Sequence, residues 1–226
     1  MIFFDPLYLL VVMLPGMLIS GAASLAVRAA FNRYSQVMAR RGITGAQAAQ
    51  ILLQRAGIDD VTIVPTHGHL SDHYNPSNRQ LALSEDVYSR SSVAAVGIAC
   101  HEAGHAIQHA EQYAFLGMRT ALVPLAGIGS SLGYMVMMAG LFMSMTPLLL
   151  VGAGLFSLVL LFQVITLPVE FDASARAKRL VLEAGIVDPD EREGIDRVLN
   201  AAALTYVAAV ISSLLTLLYF IMRARD

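Results

Sequence analysis

Three long stretches of the chain carry no charged side chain, and the polar residues are gathered between them. Residues 6–27 are 22 uncharged positions between Asp5 and Arg28. Residues 120–169 are 50 positions without Asp, Glu, Lys, Arg or His, and residues 198–222 are a further 25 without charge. A bilayer core of about 30 Å takes about 20 apolar helical residues. The first and last stretches therefore predict one membrane span each. The middle one is long enough for two, with Ser144-Met145-Thr146-Pro147 as the turn between them. The predicted spans are 6–27, 121–143, 147–169 and 201–222.

The intervening polar segments, 28–119 and 170–200, show shorter patterns. Thr44 can cap a helix running through Ala46 to Gln54, and Gly57 stands where a left-handed C-terminal residue belongs. Val61-Thr62-Ile63-Val64 is β-branched and reads as a strand. The stretches before and after the turn-like Asn75-Pro76-Ser77-Asn78 read as two extended strands of a short β-hairpin. Ser91 or Ser92 can then cap a helix that continues through His101-Glu102-Ala103-Gly104-His105.

Composition sharpens the class. Hydrophobic residues make up 56% of the 226 and charged residues 14%, too apolar for an ordinary soluble domain. The first span lacks a basic leader and exceeds a signal peptide's apolar length, so it reads as an uncleaved anchor. Thirteen of the 15 Lys and Arg residues lie in the two polar segments, which places both in the cytoplasm by the positive-inside rule. Arg223 and Arg225 argue mildly the other way, because four spans put both termini outside. A two-span hairpin separates the polar segments, so they share one face. The net charge of -2 says little about partners, and the absence of a basic stripe speaks against nucleic acid. Cys100 is the single cysteine; it points about 100° away from its neighbour His101 on a helix and reads as a small buried thiol.

The chemistry centres on the HExxH run. His101 and His105, one helical turn apart, face the same way. Two imidazoles so placed can bind one Zn²⁺ at about 2.0–2.1 Å each. Glu102, about 100° round the helix, can accept the proton of a water acidified by the metal and later pass it to the leaving amine. The surrounding helix is apolar, where unpaired polar groups are costly, so a shared metal is the economical partner for all three. A catalytic zinc expects a third protein ligand. His109 is one turn further on; three ligands on one straight helix span about 12 Å, too far to converge, so it reads as a helix-surface residue. His67, His69 and His73 would share a face if their segment were a strand, and they stay open as further ligands or as a polar loop near the site. Glu170 is the stronger candidate: it is the first charge after 50 uncharged residues, just past Pro168, where an unpaired carboxylate is expensive. Its alternative role is an interfacial anchor.

Four runs carry a family resemblance: Gly68-His69-Leu70-Ser71-Asp72-His73-Tyr74-Asn75-Pro76, Leu81-Ala82-Leu83-Ser84, His101-Glu102-Ala103-Gly104-His105-Ala106-Ile107-Gln108 and Leu167-Pro168-Val169-Glu170-Phe171-Asp172-Ala173-Ser174. They resemble the YugP-type neutral zinc metallopeptidases along essentially the whole chain, and more distantly the HtpX and CAAX-prenyl endopeptidases, gluzincins with a glutamate as third ligand. The resemblance implies that Glu170 is that ligand. In the HtpX-like proteins an Asp four residues after the ligand supports a zinc histidine. Here that position is Ser174, which leaves the supporting role unassigned, with Asp172 as a nearby candidate. The resemblance also implies that an edge strand within 69–84 pairs with extended substrate. Tyr74, His73 and Arg176 are candidate oxyanion partners.

The expectation is a mostly α integral-membrane protein with about four transmembrane helices and a small α+β zincin-like cytoplasmic portion. One Zn²⁺ per chain is held by His101, His105 and Glu170, with Glu102 as general base. The expected activity is hydrolysis of peptide bonds in membrane-associated proteins, at the cytoplasmic face of the inner membrane; membrane lipid and a protein or peptide substrate are the expected partners, and an oligomer is compatible. A catalytically silent, metal-stabilised scaffold is the alternative. A metal transporter would need polar ligands within the spans, and residues 120–169 supply no charge or histidine.

Overall fold

The computed structural model describes residues 6–225. Four helices are long and apolar enough to cross a membrane: α1 (Pro6–Tyr34), α5 (Ala114–Phe142), α6 (Thr146–Glu183) and α7 (Arg192–Arg223). The tight turn between α5 and α6 sits at 143–145, where Ser144 takes a positive φ of 52°. Between α1 and α5 come α2 (Gly45–Arg55), β1 (Thr62–Thr66), β2 (His73–Asn75), β3 (Gln80–Ser84), α3 (Glu85–Ser89) and α4 (Val93–Ala110), the helix with the HExxH run.

The chain divides into two compact units. One takes the chain through Ser24, with Gly117–Pro168 and the chain from Leu204. Its outward faces carry Leu10, Leu18, Met135, Val151 and Leu218, all exposed, an apolar surface suited to lipid rather than water. Inside it α5 and the first half of α6 approach closely. A Cβ on Gly140 would lie 2.5 Å from the Leu149 nitrogen, and one on Gly152 would lie 2.4 Å from that of Met137. Small residues permit such backbone approach between membrane helices. Tyr8, Met137, Leu149, Tyr219 and Phe220 form its buried cluster.

The other unit comprises Leu25–Leu116 and Val169–Ala203, so both polar segments of the sequence meet in it. Its three-stranded sheet has the order β1-β3-β2. β3 runs parallel to β1, pairing Thr62 with Gln80, and antiparallel to β2, pairing His73 with Ala82. β2 and β3 form the expected hairpin. β3 is paired on both sides, so the open edges belong to β1 and β2. The core gathers Leu52 and Leu53 of α2, Leu81 and Leu83 of β3, Val96 and Ala103 of α4, Val181 of α6 and Ile195 of α7.

Local signals explain the elements. Thr44 and Gln47 form a reciprocal capping box at the start of α2, and Gly57 adopts φ 68° beyond its end. Ser92 Oγ accepts the Ala95 N–H at 3.2 Å and so caps α4. A cluster of charged groups joins the two polar segments. Glu191 accepts the backbone N–H of Arg40 at 2.9 Å and that of Asp188 at 2.8 Å, while the Arg40 guanidinium pairs with Asp190.

Candidate metal centre

α4 brings His101 and His105 onto one face, their ring centroids 4.8 Å apart. α6 brings Glu170 against both. Its Oε2 lies 3.3 Å from His101 Nε2 and 3.5 Å from His105 Nε2. One ligand atom from each of the three lies within 4.8 Å of the others. A tetrahedral zinc with bonds of about 2.0–2.1 Å separates its ligand atoms by about 3.3–3.4 Å. The two carboxylate–imidazole distances match that separation, and two imidazoles with a carboxylate are a donor set zinc accepts, so the residues present fit the ion. Among the described residues this is the one such group of metal-ligating side chains.

The helices meet closely because Gly104, between the two histidines, has no side chain: an added Cβ would lie 2.8 Å from the Ala173 carbonyl oxygen. Glu102 and His105 are buried, and Glu170 is 2% exposed. Burial works to keep His105 neutral, yet the Glu170 and Glu102 carboxylates outweigh it and raise the imidazole pKa above its ordinary value.

Each histidine has a partner on its other nitrogen. His101 Nδ1 stands 3.2 Å from the Ser174 hydroxyl, and His105 Nδ1 stands 3.0 Å from Gln108 Oε1. Such contacts hold a ligand ring in place. The supporting role left unassigned in the sequence thus has Ser174, rather than Asp172, in contact with His101. Asp172 contributes one step further out, accepting from Gln108 Nε2 at 2.8 Å and from Arg176 Nε at 2.6 Å.

These residues match a family model described as "Putative neutral zinc metallopeptidase" over residues 9–225. The chain belongs to this zinc metallopeptidase family. It is also 42% identical over 200 residues to the "Putative membrane protease YugP" of Bacillus subtilis (strain 168), covering 88% of this chain and 89% of the relative. No solved structure matches it.

The remaining histidines of this metallopeptidase chain do not join the triad. His67 and His69 precede β2 in an irregular turn, so no strand aligns them with His73. His67 faces Glu85 at 3.3 Å, His69 lies edge-on to Phe31, and His73 Nδ1 lies 2.9 Å from the Ser71 carbonyl. His109 Nδ1 lies 2.7 Å from the Tyr74 hydroxyl, which links α4 to β2. Arg176 is committed to Asp172 and Glu111, which weakens it as an oxyanion partner. Cys100 is fully buried, and burial pushes its thiol pKa up to about 12, as a structural residue requires.

Gln108 went unread in the sequence. The signal that could have found it is its place on α4, three residues after His105 and seven after His101: a polar side chain on the metal face of an otherwise apolar helix.

Proposed function

We propose that the chain is a membrane-bound zinc metalloendopeptidase of gluzincin type that hydrolyses peptide bonds in membrane-associated proteins. The observation that carries the reading is the convergence of His101, His105 and Glu170, with Glu102 buried beside them. Membership of the zinc metallopeptidase family and likeness to a membrane protease support it.

Two imidazoles and a carboxylate would hold one zinc per chain and leave a position open. When bound, the ion supplies Lewis acidity that acidifies a water molecule and polarises the scissile carbonyl. Glu102 lies next to His101 on α4 and cannot share its face. It acts as general base, taking a proton from the attacking water as the new C–O bond forms. The same carboxyl then gives that proton to the amide nitrogen, which leaves as the amine when the C–N bond breaks. Ser174 and Gln108 keep the two rings turned toward Glu170 during this cycle. β2 packs against α4, and its edge away from β3 is the proposed place for an extended substrate strand.

The charge distribution supports a cytoplasmic orientation at the inner membrane. Glu170 continues, on one unbroken helix, the apolar stretch that precedes it, which favours substrates held at the bilayer. The test uses everted membrane vesicles carrying a peptide anchored on their cytoplasmic surface. The parent protein should cleave it, and Glu102→Gln should slow cleavage at least about 100-fold while retaining zinc. Equal rates for parent and variant would favour the silent-scaffold role, and faster cleavage of the same peptide free in solution would remove the membrane-substrate reading.

A further inference from the structure

Gln108 is fully buried, and its side chain reaches both helices of the metal centre. We propose that Gln108 is a positioning residue: its amide, held in one orientation by Val169 and Asp172, sets His105 in the Nδ1–H form and ties the helix of Glu170 to the helix of the histidines. The proposal rests on the zinc reading above and concerns how the chain prepares that site.

A glutamine amide can turn either its oxygen or its nitrogen toward a neighbour. Here the neighbours decide. Nε2 lies 2.8 Å from the Val169 carbonyl oxygen and 2.8 Å from Asp172 Oδ2, and both are acceptors. The reversed amide would set its oxygen against two oxygens in a buried site. With Nε2 fixed there, the end facing His105 Nδ1 at 3.0 Å is an oxygen, which can only accept. His105 Nδ1 therefore carries the hydrogen, and in the neutral ring the lone pair is left on Nε2, the atom facing Glu170. That is the form a metal ion can take up without moving a proton between the ring nitrogens.

The second consequence is a register. Val169 immediately precedes Glu170, so the bond from Gln108 pins the α6 backbone one residue from the third ligand. Asp172 is braced in turn by Arg176 Nε at 2.6 Å, and Arg176 Nη1 reaches Glu111, just past the end of α4, at 2.6 Å. The chain His105–Gln108–Asp172–Arg176–Glu111 crosses between the two helices and back. Gln108 within it has no access to water, and Glu111 at its far end is exposed.

The experiment measures zinc affinity by chelator competition on the detergent-purified full chain, together with the ¹⁵N spectrum of its histidine rings without metal. Gln108→Leu keeps similar volume and removes both ends of the amide. Zinc binding should weaken about 10- to 100-fold, and His105 should no longer be held as the Nδ1–H form. Gln108→Glu retains an acceptor for His105 but opposes a carboxylate to Val169 and Asp172. Adding Asp172→Asn returns a donor to that pair, and the double variant should bind zinc more tightly than Gln108→Glu alone. Parent-like affinity and an unchanged His105 signal in Gln108→Leu would overturn the proposal. If Gln108→Leu fails to fold, an absence of recovery in the double variant overturns it. A parent that binds no zinc, yet shows the Nδ1–H form lost in Gln108→Leu, would remove the metal reading and leave the positioning role standing.

Discussion

Gly104 shows how one missing side chain sets the metal centre. A methyl group there would meet the Ala173 carbonyl oxygen at 2.8 Å, and a backbone carbonyl in a helix cannot step aside. Alanine would gain about 1 kcal/mol of helix preference, whereas forcing two packed helices apart costs about 1–3 kcal/mol. Gly104→Ala should therefore lower the melting temperature and weaken zinc binding, because it moves the histidines away from Glu170; unchanged melting with unchanged zinc affinity would contradict that packing. Cys100 offers a second check at this scale. Its thiol is buried, with a pKa near 12, so at about pH 8 thiol reagents should label it only as fast as the protein unfolds. Prompt labelling of the folded protein would place it elsewhere. The placement of His101 and His105 on one face was legible because four residues along a helix is a local relation. Spacing on α4 could place Gln108 beside His105, but its bonds to Val169 and Asp172 and the contact of Ser174 with His101 cross between α4 and α6, and no spacing within either helix reveals them.

Among the elements, α4 depends on its beginning. Ser92 satisfies the Ala95 N–H, an otherwise unpaired donor in a buried first turn. Ser92→Ala should cost about 1 kcal/mol of stability, read as a lower denaturant midpoint, and Ser92→Asp should recover part of it. The caps at Thr44 and Ser92 and the left-handed Gly57 were readable because each is decided by neighbouring residues. The hairpin of β2 and β3 was readable for the same reason. The parallel pairing of β1 with β3 was not, since strand alternation says which residues share a face but never which strand lies alongside. α6 also differs from its pattern. The sequence changes from apolar to charged at Glu170, but the helix continues unbroken through Pro168 to Glu183. Proline removes one N–H and crowds the preceding turn, yet the helix is held on both sides of it. Polarity changed there; conformation did not.

At the scale of the whole molecule, the chain separates what faces lipid from what performs chemistry. Of the four apolar helices, the two that cover residues 120–169 carry no charge or histidine there, and every residue of the candidate metal centre falls in the other unit. The polar segments 28–119 and 170–200 are far apart in sequence, and each supplies part of the candidate site: His101, Glu102 and His105 from the first, Glu170 from the second. Bringing them together requires the intervening residues to run out and return, which the turn at 143–145 accomplishes. The convergence of His101, His105 and Glu170 is therefore the consequence of the topology as a whole, and metal content tests the account most directly. Elemental analysis of the detergent-purified protein should find about one zinc per chain, with the zinc lost in both His105→Ala and Glu170→Ala. Zinc retained in Glu170→Ala with unchanged affinity would contradict the account, because it would place the third ligand outside α6.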